Sequence, residues 1–398
     1  MKSKLLYIML FFSMIIGCQF DGKKSHTGSL PKIDLSKEFL KKEIHIRDIA
    51  DIEYVPLETT GEVLLGMLST IQYISDNYII INDRSEGIFI FNRQGKVISH
   101  INRRGNGPEE YTQNGSIIFD EKNEELFVSD ALTRRFLVYS ISGEYKRVLK
   151  YSSEFSAPSS YNIDEETILL YNNDKISQTS VFSEQPYKLM SKKDGSIVSV
   201  IDIRLPQRYA TKIVHKIDMG GGQIASTSQS ILFPDRNNII SYGRDFLIAD
   251  ISSDTIYRLN KNRELTPILT RSPSVHSLEL QKIWTTLLTT DKFIFLFTTN
   301  LDLVALEQNR NIPFTIIMYE FETGQTYEVS FVSDGYITRY FPLGLTAALV
   351  PKNMGAQLLE VHRLKTTHKE RPLKDGLEKI IDSLDEDDNP IVAIYKFK

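Results

Sequence analysis

Glycines at hairpin turns recur along this chain at a spacing near fifty residues, and that spacing constrains the fold more than any other feature. Gly95, Gly143 and Gly195 each separate two strand-like runs, at intervals of 48 and 52 residues. Gly324 follows 129 residues later, which fits two units, with Lys261-Asn262 standing in for the missing turn. Glycine suits such turns because, lacking a Cβ, it adopts positive φ freely. Two apolar runs precede each turn: Tyr78 to Asp83 then Ile88 to Asn92, Glu125 to Asp130 then Phe136 to Ser140. Asp245 to Asp250 then Thr255 to Leu259, and Lys292 to Thr298 then Thr315 to Tyr319, continue the series. A third, more polar run follows the turn, as in Lys96 to Ile101 and Glu144 to Leu149. These runs are rich in β-branched and aromatic residues and end in turn formers, so they read as strands. A repeat of about 40 to 50 residues built from about four strands is the signature of a β-propeller blade. A string of immunoglobulin-like sandwiches would need a buried tryptophan per domain, and this chain has only Trp284.

First strands are expected near residues 68–74, 115–119, 159–163, 229–240, 278–288 and 336–341, which makes six four-stranded antiparallel blades over residues 45–398. In the last blade, 345–350 is expected to pair with the C-terminal run 391–397. That blade lacks an outer strand, and Asp51 to Leu57 can supply it, closing the ring between the two ends of the chain. Pro56 suits this edge because it cannot donate to a ladder. A seven-bladed ring stays open, since the turn signals between Gly195 and Gly324 are weak. One helix is expected inside the last blade, over 372–384, with Leu373, Leu377, Ile380, Ile381 and Leu384 on the face that covers the ring.

The N-terminus carries a different message. Lys2 and Lys4 precede an apolar run from Leu5 to Ile16, then Gly17 and the chain's single cysteine, Cys18. A positive start, a short apolar run and a small residue describe a secretory signal. A dozen residues at 1.5 Å each cannot span about 30 Å of hydrocarbon. Cysteine directly after the cut resembles the lipobox of bacterial lipoproteins, whose thiol is diacylated and becomes the mature N-terminus. The expectation is a signal over 1–17, then lipidated Cys18 and a flexible tether over 18–44. Gln19 rather than Asp follows the cysteine, which by resemblance to proteobacterial sorting favours the outer membrane. Two anchoring chains hold where one is marginal. With Cys18 acylated, no thiol remains for disulfides or cysteine–metal sites.

Hydrophobic residues make up 41% of the chain, enough for a substantial core. Removing the signal takes away two lysines and no acid, moving the net charge from −4 to −6. No basic block or stripe occurs, so nucleic acid is not an expected partner.

Three further segments carry a resemblance. Pro56-Leu-Glu-Thr59 precedes Leu65-Gly66 and the first blade. Gly105-Asn-Gly-Pro-Glu-Glu-Tyr111 links blades 1 and 2. Asp387-Asp-Asn-Pro390 leads into the final strand. Together these resemble the six-bladed β-propeller lipoproteins common in Bacteroidetes, which are NHL-like in architecture. The resemblance covers roughly residues 40 to 398 and implies the fold and an envelope location. It supplies no catalytic residues.

Read physically, the Gly105 segment is first a compact clasp between two blades. Arg103 and Arg104 lie within reach of ion pairs with Glu109 and Glu110. Arg103, Arg104, Glu110 and Tyr111 are also the candidate ligand surface. Other chemistry is sparse. His26, His45, His100, His215, His276, His362 and His368 include no HxH or HExxH pair, although a ring can assemble ligands from different blades. The run Asp385 to Asn389 lacks the alternation of a calcium loop and reads as a solvated cap. Gly220 to Gly222 sits in a long insertion without a lysine and helix start for phosphate. No Gly-x-Ser-x-Gly occurs. No cofactor or metal is expected.

The leading expectation is a lipid-anchored envelope propeller that binds or scaffolds a protein, peptide or glycan. The rival is a propeller enzyme, a metal-assisted lyase or hydrolase on carbohydrate or peptide. Ionisable side chains from several blades meeting in the central funnel would distinguish the rival. Propellers host many functions, so shape alone ranks neither.

Overall fold

The computed structural model describes residues 29–152, 155, 158–171, 185–205, 208–209, 212–218, 224–230, 238–277, 282–300, 312–339, 341, 345 and 350–398, with backbone alone for 212–218 and 224–230. The signal, Cys18, the tether up to 28 and Gly220 to Gly222 lie outside these residues.

Six sheets form the ring of a β-propeller. Blade 1 runs Thr70–Ile74, Tyr78–Asp83, Gly87–Asn92, Val97–Ile101. Blade 2 is Ile117–Asp120, Glu125–Asp130, Arg135–Ser140, Tyr145–Lys150. Blade 3 is Ser159–Asn162, Thr167–Tyr171, Tyr187–Ser191, Ile197–Val200. Blade 4 is Ile239–Tyr242, Asp245–Ile248, Thr255–Leu259, Leu265–Ser272. Blade 5 is Lys282–Thr289, Phe293–Asn300, Phe314–Glu320, Thr326–Phe331. The second strands of blades 1 to 5 are buried on both faces, which is why they read as continuous apolar runs rather than alternating ones. The expected turn glycines hold positive φ: Gly95 at 78°, Gly143 at 84° and Gly195 at 80°.

Blade 6 closes the ring as expected. Ala50–Pro56 pairs antiparallel with Ile391–Phe397, with Pro56 opposite Ile391 and Ala50 opposite Phe397. The inner partner differs from expectation. Met354–Leu359 pairs with Ile391–Phe397, in the place expected for 345–350, of which 346–349 lie outside the described residues. Around 336–341, a bridge between Asp334 and Ile337 stands where a strand was expected. The phenols of Tyr54, Tyr336 and Tyr395 meet where these segments converge, at 3.0 Å and 3.2 Å.

Two corrections concern the ends of the chain. Residues expected in the tether form strands: Lys32–Asp34 runs parallel to the outer strand of blade 4, and Leu40–Ile44 parallel to that of blade 5. The insertion in blade 6 holds two helices, Val361–Glu370 and Leu377–Asp382, where one was expected over 372–384. Val361, Leu364, Leu373, Leu377 and Ile381 are buried in one apolar cluster with Phe331, Phe341 and Phe397, so the insertion packs onto the ring. Between blades 3 and 4, Lys212–Asp218 and Ile224–Ser230 form an antiparallel hairpin.

A repeated aspartate pins the loops at one end of the blades. Asp83, buried at the end of its strand, accepts from the N–H groups of Ser85 and Glu86 and from Gly66 N–H and the Ser69 hydroxyl in the loop entering blade 1. Asp130 does the same for Thr112 and Thr133. Each carboxylate satisfies donors that would otherwise be left unpaired in a tight turn.

Candidate functional site

The Gly105 segment is a clasp built of backbone and inward-facing side chains. Tyr111 N–H donates to Arg103 O at 3.0 Å, and Gly105 N–H donates to Tyr111 O at 3.1 Å. The Tyr111 phenol donates to Ile101 O at 3.2 Å. The ring is fully buried, which pushes its pKa up and removes Tyr111 from the expected ligand surface. Glu110 turns its carboxylate inward onto Gly107 N–H at 2.9 Å. A Cβ on Gly105 would lie 1.8 Å from Glu110 Oε2, so glycine leaves the room that carboxylate occupies. Arg104 donates to the Arg84 carbonyl and to Asn114 Oδ1, and Arg103 donates to Gly143 O at 3.3 Å. Among the described residues neither arginine forms the expected ion pair with Glu109 or Glu110. From blade 2, Arg135 and Tyr139 donate to the carbonyls of Glu110 and Glu109, both at 2.8 Å. The motif joins two blades.

A cavity of about 860 Å³ opens at the opposite end of the inner strands. Its floor is apolar, with Ile74, Phe119, Tyr161, Ile163, Phe246 and Val350. Its rim comes from the turns after the first strands of blades 1 to 4, with Ser75 and Asp76, Glu121, Asp164 and Glu165, and Gly243 and Arg244, and from Lys352 just before Met354–Leu359 in blade 6. Five blades therefore converge on one funnel, which no local motif reveals. Lys261 of blade 4 also lines it.

The charges on this rim are divided. Blades 1 to 3 contribute only acids, and blades 4 and 6 only bases. Glu121 is fixed by three neutral donors, the Tyr73 phenol at 2.8 Å, the Ser75 hydroxyl at 3.0 Å and the Asn77 amide at 2.8 Å. It meets no cation among the described residues. Burial pushes the Asp164 carboxyl up, but the N–H of Glu166 and the hydroxyl and N–H of Thr167 outweigh it and hold Asp164 below its ordinary value. Lys352 is raised by its hydrogen bond to Asp291 and lies over the Tyr242 ring at 4.6 Å. Both shifts hold the groups charged at neutral pH, which suits recognition rather than proton transfer. Among the described residues, no group of three or more His, Cys, Asp or Glu is placed to hold a metal ion.

Below the rim, Lys192 crosses from blade 3 to blade 2. Its ammonium reaches Asp120 Oδ2 and Asp164 O, both at 2.6 Å, with the side chains of Lys192 and Asp120 almost wholly buried. The pair fixes the two acidic turns relative to each other.

Fold and site together define a six-bladed β-propeller with a charge-divided funnel at one mouth of its channel. The chain belongs to the family described as Domain of unknown function (DUF4934), which matches residues 30–396. No curated protein matches it. Among solved structures, it is similar to a Bacteroides fragilis protein whose name gives it as exported, with a TM-score of 0.61 and 16% identity, covering 93% of this chain and all (100%) of that one. A member of the DUF4221 family from Bacteroides vulgatus aligns with a TM-score of 0.46 and 11% identity over 88% of this chain and 97% of that one. At such identities the first likeness speaks to fold. No helix among the described residues is long and apolar enough to cross a membrane.

Proposed function

We propose that this protein is a cell-envelope binding module, lipid-anchored through Cys18, that takes its partner in the funnel. The observation that carries the reading is the convergence of five blades on one 860 Å³ cavity with an apolar floor and fixed charges. Cavities of roughly 300–1,000 Å³ are the usual size of ligand sites. The name of the Bacteroides fragilis relative assigns that protein to export, which supports an envelope location here. The lysine-led apolar run before Cys18 supports the anchor.

The enzyme reading rests on the same convergence of ionisable groups. It loses ground because Asp164 and Lys352 are held away from neutrality. The test is a binding screen of envelope peptides and glycans against the full chain and against Arg244→Glu. A binder that weakens in the variant supports the funnel. Binders indifferent to it rule the funnel out, and turnover of a binder favours the enzyme.

A further inference from the structure

We infer that the funnel recognises a zwitterionic peptide, its ammonium group held on the Asp76–Glu121–Asp164 arc and its carboxylate on the Arg244–Lys261–Lys352 arc. This rests on the proposal that the funnel is the binding site and adds the chemistry of what it holds.

The first argument is the order of charges around the ring. Acids come from three consecutive blades and bases from blades 4 and 6, so Asp76 in blade 1 stands across the six-fold ring from Arg244 in blade 4. A uniformly charged ligand would meet repulsion on one arc. A neutral glycan would leave both arcs without a counter-charge. A molecule carrying both signs at its two ends satisfies both.

The second argument is which charges are already used. Asp76, Arg244 and Lys261 are exposed turn residues and make no hydrogen bond or ion pair among the described residues. Glu121 is oriented by three neutral donors that leave its charge uncompensated. Fixing a carboxylate before a ligand arrives lowers the ordering needed on binding. By contrast, Glu165 is paired with Lys122 at 2.5 Å, Lys352 with Asp291, and Asp164 with Arg263 at 3.4 Å, which leaves these three the weaker contributors and Asp76, Glu121, Arg244 and Lys261 the principal ones.

The third argument is the floor. Ile163 and Phe246 keep a little apolar surface between the two arcs, backed by the buried Phe119 and Tyr161. Apolar side chains between charged ends match that layout, whereas an amino acid alone would leave it bare.

The experiment uses the full chain in detergent and a tetrapeptide probe, Lys-Phe-Leu-Glu with free termini. The control is its uncharged analogue, acetyl-Gln-Phe-Leu-Gln-amide. With a partly exposed ion pair at each end, the charged probe is expected to bind about fivefold more tightly or better. Raising salt should erase that margin. Arg244→Glu with Lys261→Glu should reverse the preference toward the dicationic probe acetyl-Lys-Phe-Leu-Lys-amide. Both positions are exposed, and a far-UV spectrum matching the parent verifies the fold. Equal binding of the charged and neutral probes, or no binding of the charged probe, overturns the peptide assignment. If a neutral oligosaccharide binds instead and is lost in the variant, the funnel stands and the zwitterionic class falls. If every binder is indifferent to the variant, both fall.

Discussion

Asn389 holds Glu58, 331 residues away in the chain, through a hydrogen bond from its amide to the Glu58 carbonyl at 2.8 Å. The same amide donates to Val63 O at 2.8 Å, and its oxygen accepts from Leu65 N–H at 2.7 Å. Two of the segments that carry the family resemblance, Pro56 to Thr59 and Asp387 to Pro390, are thus halves of one clasp. Asn389 was expected in a solvated cap; it is 1% exposed. The reason is that a buried side-chain amide supplies donors and acceptor together, which an aspartate cannot.

Asn389→Ala removes three hydrogen bonds and leaves the Glu58 carbonyl and the Leu65 N–H without their partner, while Val63 O keeps the Thr60 N–H. Chemical denaturation should show a loss of about 2–4 kcal/mol. A loss below about 0.5 kcal/mol would mean that water replaces the amide and the clasp is incidental.

Asp83 makes stability depend on acid. Burial raises its pKa, but hydrogen bonds from Ser69, Glu86 and Ser85 outweigh that and hold it at about 2. Asp130 is lowered in the same way through Thr112 and Thr133. A carboxyl depressed in the folded state stabilises fully above its unfolded value near 3.9 and loses that contribution as pH falls toward about 2. Melting temperature should therefore drop between pH 5 and pH 2.5. Asp83→Asn should flatten part of that drop, by about 2 kcal/mol. Parallel pH profiles for the two proteins would rule this assignment out.

Two glycine substitutions should differ in severity. Gly95 sits at φ 78°, and a Cβ there would lie 2.1 Å from the backbone oxygen of Pro56 in the ring-closing strand. Gly105 would meet only the end of the Glu110 side chain. Gly95→Ala is expected to destabilise by more than about 2 kcal/mol, and Gly105→Ala by about 1 kcal/mol. The reverse order in a thermal melt would contradict the packing described for the closure.

Lys192 and Asp120 form a buried pair, so breaking it from one side is worse than removing it whole. Lys192→Met should lose about 3–5 kcal/mol by stranding the Asp120 charge, and Asp120→Asn in that background should recover part of it. Additive losses in the double-mutant cycle would show that the two do not act together.

Cys18→Ser tests the anchor. In a bacterial host that processes lipoproteins, the parent should incorporate an alkyne-tagged fatty acid and sediment with membranes. The variant should do neither. Labelling that survives the substitution would place the lipid elsewhere or dismiss it.

Much of the ring was legible because its turns are written in glycine and its inner strands in runs such as Tyr78 to Asp83. Blade 6 was harder. Met354-Gly-Ala-Gln-Leu-Leu359 has no β-branched residue and a glycine, so it does not read as a strand, and only pairing with Ile391–Phe397 makes it one. The helix Val361–Glu370 buries only Val361 and Leu364, too few to show a stripe. Lys32–Asp34 is three residues long and is held by an edge 238 residues downstream, since Lys32 pairs with Thr270. The funnel left no local trace. Asp76, Glu121, Asp164 and Arg244 each sit in an ordinary polar turn, and only the ring brings them together. The Gly105 segment was legible as a joint between blades 1 and 2, but not the inward turn of Glu110 and Tyr111 that makes it one.

The strands at 32–34, 40–44 and 50–56 all pair with segments that are synthesised late, at 265–272, 326–331 and 391–397. Everything that seals the circle must therefore wait until the chain is almost complete. A protein threaded through a membrane from its N-terminus would cross with its leading strands unpaired and its ring open. It would lock only on the far side, when the last seven-residue strand arrives to meet the first full-length one. Under the export proposed above, this order of events makes the seam a timer: the molecule stays threadable until there is nothing left to thread.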